Sequence, residues 1–159
     1  MAETLANWGD FIGGIAVVIS LIYVGMQIRA SVVQARLDSF TKSTELWSQF
    51  TSAVAGDGET WRIFHHGTSD YEKLNPEEKS RFGFVISMYF GIIDTIMMHQ
   101  AAGIYPSRQI YERSLDQAYA VFQMPGVQKW FEHAKGRVFA PKVEEYLLSR
   151  KEKELAEST

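Results

Sequence analysis

Residues Phe11 to Ile28 form a run of 18 residues without a charged side chain, FIGGIAVVISLIYVGMQI. As an α-helix the run is about 27 Å long, at the short end of what a hydrocarbon core of roughly 30 Å requires. Trp8 precedes the run, Tyr23 lies near its far end and Arg29 follows it. Aromatic and basic side chains are common at both membrane–water boundaries. The sequence therefore predicts a transmembrane helix over residues 11–28 with interfacial contacts at Trp8, Tyr23 and Arg29.

Two other interpretations of this run are a cleaved signal peptide and a buried helix of a soluble protein. A signal peptide has basic residues before its apolar stretch and small residues at a cleavage site after it. Here no Lys or Arg precedes the run, and Gln27-Ile28-Arg29 follows it. The membrane-spanning interpretation is preferred, and the signal peptide and the buried helix both stay open as less favoured alternatives.

The charges on either side of the run predict its orientation. The N-terminal flank has Glu3 and Asp10 but no Lys or Arg, whereas Arg29, Arg36 and Lys42 follow the run. Basic residues close to a membrane span are retained on the cytoplasmic side. We therefore expect a bacterial inner membrane protein with residues 1–10 outside the cytoplasm and the C-terminal domain inside it.

The predicted helix does not end where the apolar run ends. No Pro or Gly occurs between Arg29 and Val54, and the first turn signal is Gly56-Asp57-Gly58. A single helix from about Leu5 to about Ala55 would be about 75 Å long. Residues 29–55 are then a cytoplasmic continuation of the membrane helix.

Two lines of residues recur at every seventh position of this helix, a spacing typical of helices that pack lengthwise against each other. Small and hydroxyl-bearing residues favour close approach of helices in lipid. Association through the second line is one interpretation; the other is an amphipathic outer half that folds onto its own domain. The apolar line is Leu5, Ile12, Ile19, Met26, Val33, Phe40, Trp47 and Val54, and the small or polar line is Ala6, Gly13, Ser20, Gln27, Gln34, Thr41, Ser48 and Ala55.

The remainder of the chain predicts a small helical domain over residues 59–150, so the fold class is all-α. Helix-start and turn signals divide this domain into five short helices. The predicted segments are a helix at Glu59–His66, a loop at Gly67–Asp70, and helices starting at Pro76, at Pro106 or Ser107, at Pro125 and at Pro141, followed by a frayed tail at 151–159.

The helix that starts at Pro76 is apolar enough to raise the possibility of a second membrane span over residues 82–105. Asp94 would then lie deep in lipid at a cost of about 2.5–3.5 kcal/mol. No excess of basic residues marks one of its ends. We therefore expect a central core helix.

In the helix that follows, we expect Ile110, Leu115, Tyr119 and Phe122 to point inward.

Several short motifs resemble a widespread group of uncharacterised bacterial membrane-anchored helical proteins. The resemblance covers most of the chain and implies a single-span anchor with a cytoplasmic helical domain, without an established activity or catalytic residue. The motifs are Ser20-Leu21-Ile22-Tyr23 with Gln27-Ile28-Arg29, Trp61-Arg62-Ile63-Phe64, Leu74-Asn75-Pro76-Glu77-Glu78 with Arg81-Phe82, the Gly103 turn, Pro125-Gly126 with Trp130, and Phe139.

No residue pattern predicts a catalytic centre or a cofactor. The chain lacks cysteine, Glu-x-x-His pairs, His-Glu-x-x-His and Gly-rich phosphate loops. Adjacent His65 and His66 point apart on a helix, so no metal site is expected. Asp94 and His99 are the buried polar candidates. A carboxylate in an apolar helix needs a partner, and the candidates are Arg62, Arg81, Arg113 or the Tyr105 hydroxyl.

The sequence predicts a non-enzymatic membrane protein that acts as a homo-oligomeric scaffold or as an accessory subunit of a larger membrane complex. Its expected partners are the lipid bilayer and copies of itself or other membrane subunits. Nucleic acid is not expected because the net charge is −3. One alternative is a pore lined by Ser20, Gln27, Gln34 and Thr41. Another is a ligand- or metal-binding bundle around Asp94 and His99.

Overall fold

The computed structural model describes residues 2–105, 107–134, 136 and 140–157, with side chains from residue 12 onward. The described chain is all α-helical, as predicted, and its contacts divide it into two units, Met1–Asp38 and Ser39–Thr159. Its elements are α1 (Ala2–Ala55), α2 (Gly58–Ser69), a 3₁₀ turn (Tyr71–Lys73), α3 (Pro76–Ala101), α4 (Arg108–Phe122), α5 (Pro125–Ala134) and α6 (Pro141–Glu157).

The long N-terminal helix and its predicted end are both confirmed. Helix α1 ends at Ala55, and the N–H of Gly56 donates to the carbonyl oxygen of Ser52 at 2.9 Å. A Cβ at Gly56 would collide with that same carbonyl, so the helix end requires glycine. Asp57 then caps α2, because its carboxylate accepts the backbone N–H of Thr60 at 2.9 Å.

The loop predicted at Gly67–Asp70 is wrong for residues 67–69, because α2 continues to Ser69. Gly67 is buried against the ring of Phe82, which occupies the place where a Cβ would be. A Cβ at Gly126, at the start of α5, would in turn collide with the carbonyl oxygen of Gly67. Gly67 therefore allows close packing of α2 with α3 and α5 and does not form a turn.

Helix α3 forms the centre of the Ser39–Thr159 unit. It begins with a capping box: the Asn75 side chain accepts the N–H of Glu78, and the Glu78 carboxylate accepts the N–H of Asn75, both at 2.9 Å. One face then supplies side chains that are almost fully buried, as expected for a core helix. These are Phe82, Ile86, Phe90, Ile93 and Ile96.

The part of α1 from Ser39 to Ala55 packs on this core. Phe50 and Val54 are buried, and the ring of Phe50 lies 5.7 Å from that of Tyr89, centre to centre. Trp47 meets the same tyrosine edge-on at 5.4 Å. Burial raises the pKa of Tyr89 to about 12. This contact matches the interpretation in which the outer half of the helix folds onto its own domain.

Helices α4 and α6 differ from expectation in one respect each. Leu115, Tyr119 and Phe122 are buried as predicted, but Ile110 is 43% exposed. Ile110 precedes Leu115 by five residues, which places it about 140° away around the helix. Helix α6 continues to Glu157, through most of the segment predicted to fray, and the Tyr119 hydroxyl donates to the Glu154 carboxylate at 2.7 Å.

Candidate functional site

The first candidate site is the surface of α1 within the Met1–Asp38 unit. From Ile12 onward, where side chains are described, its large apolar side chains are all 43–66% exposed. Consecutive residues such as Val17, Val18 and Ile19 lie 100° apart around a helix, so this surface is apolar on every side. We call it the apolar surface: Ile12, Ile15, Val17, Val18, Ile19, Leu21, Ile22, Tyr23, Val24, Met26, Ile28, Val32, Val33 and Leu37.

Two helices of the described chain are long and apolar enough to cross a membrane. In α1, within Ile12–Ala55, none of the most apolar window is buried by other parts of the protein. In α3, Pro76–Ala101, half of that window is buried. The buried half of α3 forms the core of the helical domain and is therefore not available to lipid. Helix α1 is the better candidate for a membrane span.

The residues predicted at the membrane boundary are partly described. Tyr23 and Arg29 are exposed, and Arg29 lines a shallow groove together with Ile22, Gly25 and Met26. The groove exists because glycine has no side chain at position 25, and no other atom fills this space: a Cβ there would have no neighbour within 4 Å. The side chain of Trp8 lies outside the described residues.

The six predicted association residues are Gly13, Ser20, Gln27, Gln34, Thr41 and Ser48, and all of them are exposed. The hydroxyl of Ser20 donates to the carbonyl of Ala16 at 2.8 Å, and the side-chain amide of Gln34 donates to Asp38 at 2.8 Å. These hydrogen bonds satisfy polar atoms within the helix itself. The line therefore stays accessible, and its role in association stays a prediction.

Asp94, the first buried polar candidate, has a different partner from those predicted. Its Oδ1 accepts the backbone N–H groups of Lys142 and Val143, at 3.0 and 3.2 Å. The predicted pairing with Arg62 or Arg81 is wrong, because those side chains bind glutamates: Arg62 pairs with Glu78, and Arg81 pairs with Glu59 and Glu77. Arg113 and the Tyr105 hydroxyl are not its partners either.

The contact made by Asp94 is a helix cap supplied from another helix. Lys142 and Val143 lie in the first turn of α6, where backbone N–H groups have no partner within their own helix. Ala140, which precedes that helix, has only a methyl side chain and cannot accept them. In the sequence, Pro141 marks the start of a helix, and the residue before it is an alanine without a capping side chain. This combination indicates that another element supplies the cap.

His99, the second buried polar candidate, is partly buried and contacts α1. Its Nδ1 lies 2.7 Å from Oγ of Ser39, and the hydroxyl of Ser43 donates to the carbonyl of Ser39 at 3.0 Å. Sequence reasoning missed both serines, which are buried and lie four residues apart on one helix face. The structure does not bring His99 and Asp94 together, because each serves a different helix.

The Ser39–His99 pair resembles the first half of a nucleophile–base arrangement, but no third group contacts the imidazole within the part of the chain that the structure describes. Such a site requires a third group that orients the imidazole and donors that stabilise an oxyanion. Within the described residues, the carboxylate nearest in sequence, Asp94, is directed to α6, and Ser39 is buried. The pair therefore holds two helices together.

The adjacent histidines of α2 do not form a metal site in the described part of the chain. His65 stacks on the exposed ring of Trp61 at 6.1 Å, centre to centre, and both His65 and His66 are exposed. No group of three or more His, Cys, Asp or Glu side chains among the described residues is arranged to hold a metal ion.

No family model, curated protein or solved structure matches this chain.

Proposed function

We propose that this chain is a non-enzymatic integral membrane protein, anchored by residues 11–28 of α1, that acts as a homo-oligomeric scaffold or as an accessory subunit of a membrane complex. The proposed location is the bacterial inner membrane, with the N-terminus outside and the helical domain in the cytoplasm. The orientation rests on the basic residues Arg29, Arg36 and Lys42, all of which follow the apolar run.

The observation that carries the proposal is the exposure of the apolar surface on all sides of α1. Burying one large aliphatic side chain is worth about 1.5–3 kcal/mol, so ten of them amount to roughly 15–30 kcal/mol. Soluble monomers rarely expose continuous apolar patches of this extent. The lipid tails of a bilayer would cover these side chains. A helix is suited to this environment because its backbone hydrogen bonds are formed within the helix itself.

Extraction of membranes with alkaline carbonate tests the anchor. We expect the native chain to remain in the pellet and to be released by detergent. Placing two arginines on the apolar surface, Val18→Arg with Leu21→Arg, costs about 2.5–3.5 kcal/mol each near the centre of a span and should release the protein. The matched control is Trp61→Arg with Phe84→Arg, which charges two exposed residues of the helical domain. Native protein in the soluble fraction of broken cells would refute the anchor.

The absence of cysteine from the sequence makes the orientation easy to measure. A single cysteine replaces Glu3 or Glu152, and intact spheroplasts receive a maleimide that cannot cross membranes. We expect labelling at position 3 and protection at position 152 until the membrane is opened. The reverse pattern would show the opposite orientation.

Cysteine cross-linking tests self-association through the small or polar line. Ser20→Cys and Gln27→Cys lie on that line, whereas Ile15→Cys and Ile22→Cys lie about 140° away around the helix. We expect disulfide-linked dimers in membranes at positions 20 and 27 and few at positions 15 and 22. Equal cross-linking at all four positions, together with a monomeric particle in mild detergent, would refute the homo-oligomer and leave the accessory subunit.

The pore is an alternative that uses the same line of residues. It predicts ion flux through reconstituted vesicles that changes with Gln27→Leu. Vesicles that remain impermeable under voltage and membrane tension would remove this alternative and leave the scaffold proposal intact.

A further inference from the structure

Arg29 and Arg36 differ from most other basic residues of the chain in their surroundings. Most of the other described basic residues pair with a carboxylate; examples are Lys42 with Glu45, Arg108 with Glu112 and Lys129 with Glu132. In the described part of the chain, no ion pair or side-chain hydrogen bond involves Arg29 or Arg36.

The helix positions next to these arginines explain why they are unpaired. The positions three and four residues away from Arg29 hold Gly25, Met26, Val32 and Val33, and none of these residues carries a carboxylate that could form an ion pair. Two of these, Val32 and Val33, also lie next to Arg36 along the helix. The nearest carboxylate in sequence, Asp38, accepts the amide of Gln34 at 2.8 Å.

The two arginines lie close to one line along the helix. Seven residues separate them, which corresponds to a rise of about 10 Å and a rotation of only about 20° from the same face. The Cα–Cβ bonds of a helix tilt toward its N-terminus, so both side chains start toward the apolar run. The last three residues of the apolar surface, Val32, Val33 and Leu37, lie between the two arginines and just beyond the second one.

The groove at Gly25 combines an apolar lining with one cationic side chain. It is lined by Ile22, Gly25 and Met26, and by Arg29, the lining residue farthest along the helix toward its C-terminus. An acyl chain fits an apolar groove on a membrane helix, and a phosphate at the end of that chain meets the guanidinium. The guanidinium fork binds phosphate oxygens through two parallel hydrogen bonds, which an ammonium group does not provide.

We propose that Arg29 and Arg36 bind the headgroups of anionic phospholipids in the cytoplasmic leaflet, with an acyl chain in the groove at Gly25. The inference rests on the proposed membrane anchor. The argument for lipid as the occupant is the complementary charge, the continuity with the apolar surface and the apolar groove that a cation helps to line. The site would select lipids with a net negative charge over zwitterionic ones.

Spin-labelled lipids measure this selectivity directly. The full-length protein is reconstituted in phosphatidylcholine vesicles that contain trace spin-labelled phosphatidylglycerol or spin-labelled phosphatidylcholine, and the motionally restricted fraction of each is compared. A basic residue near a membrane surface contributes about 1 kcal/mol toward anionic lipid, which is about fivefold. We expect Arg29→Gln and Arg36→Gln each to lower the preference for phosphatidylglycerol about fivefold, and the double variant to abolish it.

Two further variants separate a built site from an effect of net charge. Arg113→Gln with Lys153→Gln removes the same charge from the helical domain and should leave the preference unchanged. Gly25→Leu fills the groove without changing any charge and should reduce association of phosphatidylglycerol more than that of phosphatidylcholine. Arg29→Lys with Arg36→Lys should retain a weaker preference, because the charge remains and the planar fork is lost.

Several outcomes would overturn the proposal. They are an unchanged preference in the double glutamine variant, an equal loss in the control pair, and removal of the preference by inorganic phosphate, which would indicate a free-phosphate site. A protein that shows no lipid preference but retains an acidic polypeptide through Arg29 and Arg36 would replace the lipid with a protein partner. If the anchor itself is wrong, the protein does not float with the vesicles at all, so the two failures are distinguishable.

Discussion

Asp94 and His99 lie five residues apart on α3, and each joins that helix to a different neighbour. The sequence predicted that both would be polar groups in an apolar environment, because the helix around them is apolar. It did not predict their partners, since backbone N–H groups of α6 and a buried serine of α1 leave no charge pattern in the sequence. The burial of a polar residue is a local property, whereas its partner depends on tertiary packing.

Removing the Asp94 side chain tests the cap on α6. Asp94→Ala leaves the N–H groups of Lys142 and buried Val143 without an acceptor, and we expect a loss of about 2–3 kcal/mol in the free energy of unfolding. Asp94→Asn retains a carbonyl acceptor and should lose less. The measurement is urea denaturation followed by circular dichroism. The control is Asp57→Ala at the exposed cap of α2, with an expected loss of about 1 kcal/mol; equal effects at both positions would argue against a special role for Asp94.

Helix starts were the most predictable elements of this chain, because the signals that determine them are local. The Asn75-Pro76-Glu77-Glu78 motif gives the capping box of α3, and Pro125 and Pro141 are the first residues of their helices. The end of α2 was predicted wrongly because Gly67 has a role that only Phe82 and α5 reveal. A glycine that allows close packing looks the same in a sequence as one that forms a turn.

The capping box of α3 gives an acid-sensitive contribution to stability. Hydrogen bonds from the Asn75 backbone and the Arg62 side chain lower the pKa of Glu78 below its ordinary value of 4.5. Because the folded-state pKa is the lower one, this contribution is present above the unfolded-state pKa and is lost as the pH falls through the folded-state pKa. Glu78→Gln retains an acceptor for the Asn75 N–H but loses the ion pair.

We therefore expect Glu78→Gln to be less stable than the native protein at about pH 7 and the difference to shrink at about pH 3. Urea denaturation at the two pH values measures this. Glu145→Gln serves as the control, because the Glu145 carboxylate takes part in neither the capping box nor the Arg62 ion pair. A constant difference between native protein and Glu78→Gln at both pH values would contradict the assignment.

The contact between α2 and α5 requires glycine at position 126. Gly126→Ala drives a methyl group into the carbonyl of Gly67, and we expect a loss of at least about 3 kcal/mol, the upper end of the usual cost of overpacking. Gly58→Ala, in the first turn of α2, has no neighbour within 4 Å and should be neutral or slightly stabilising. Thermal unfolding of both variants provides the comparison. Similar melting temperatures for the two would show that the helices can separate without cost.

For the whole molecule, the long N-terminal stretch without helix-breaking residues and the helix-start signals after it predicted the all-α class. The apolar run predicted a transmembrane helix, and the structure shows a continuous helix there that is long and apolar enough to cross a membrane and is not buried in the protein. The packing of residues 39–55 on the helical domain was one of two interpretations left open. The sequence could not decide between them, because a sevenfold pattern suits a partner chain and the chain's own core equally well.

The division into two units predicts that the second unit is stable without the first. All buried apolar side chains in the described chain lie between Phe50 and Leu147, so a chain that starts at Ser39 retains the whole core. We expect this fragment to remain in solution without detergent and to unfold cooperatively on heating, as followed by circular dichroism. A fragment that aggregates, or melts without a transition, would show that residues 1–38 contribute to the stability of the domain.

The cap that Asp94 provides also has a consequence for the order of folding. Helix α6 has no residue of its own that caps the N–H groups of its first turn. An isolated peptide with the sequence of α6 should therefore be poorly helical, and in the whole chain this helix should form only after α3. Asp94 leaves the ribosome 48 residues before Lys142, so its carboxylate is available when the last helix emerges. The amide protons of Lys142 and Val143, which exchange quickly at an ordinary helix start, should here be protected and should exchange only when the core opens.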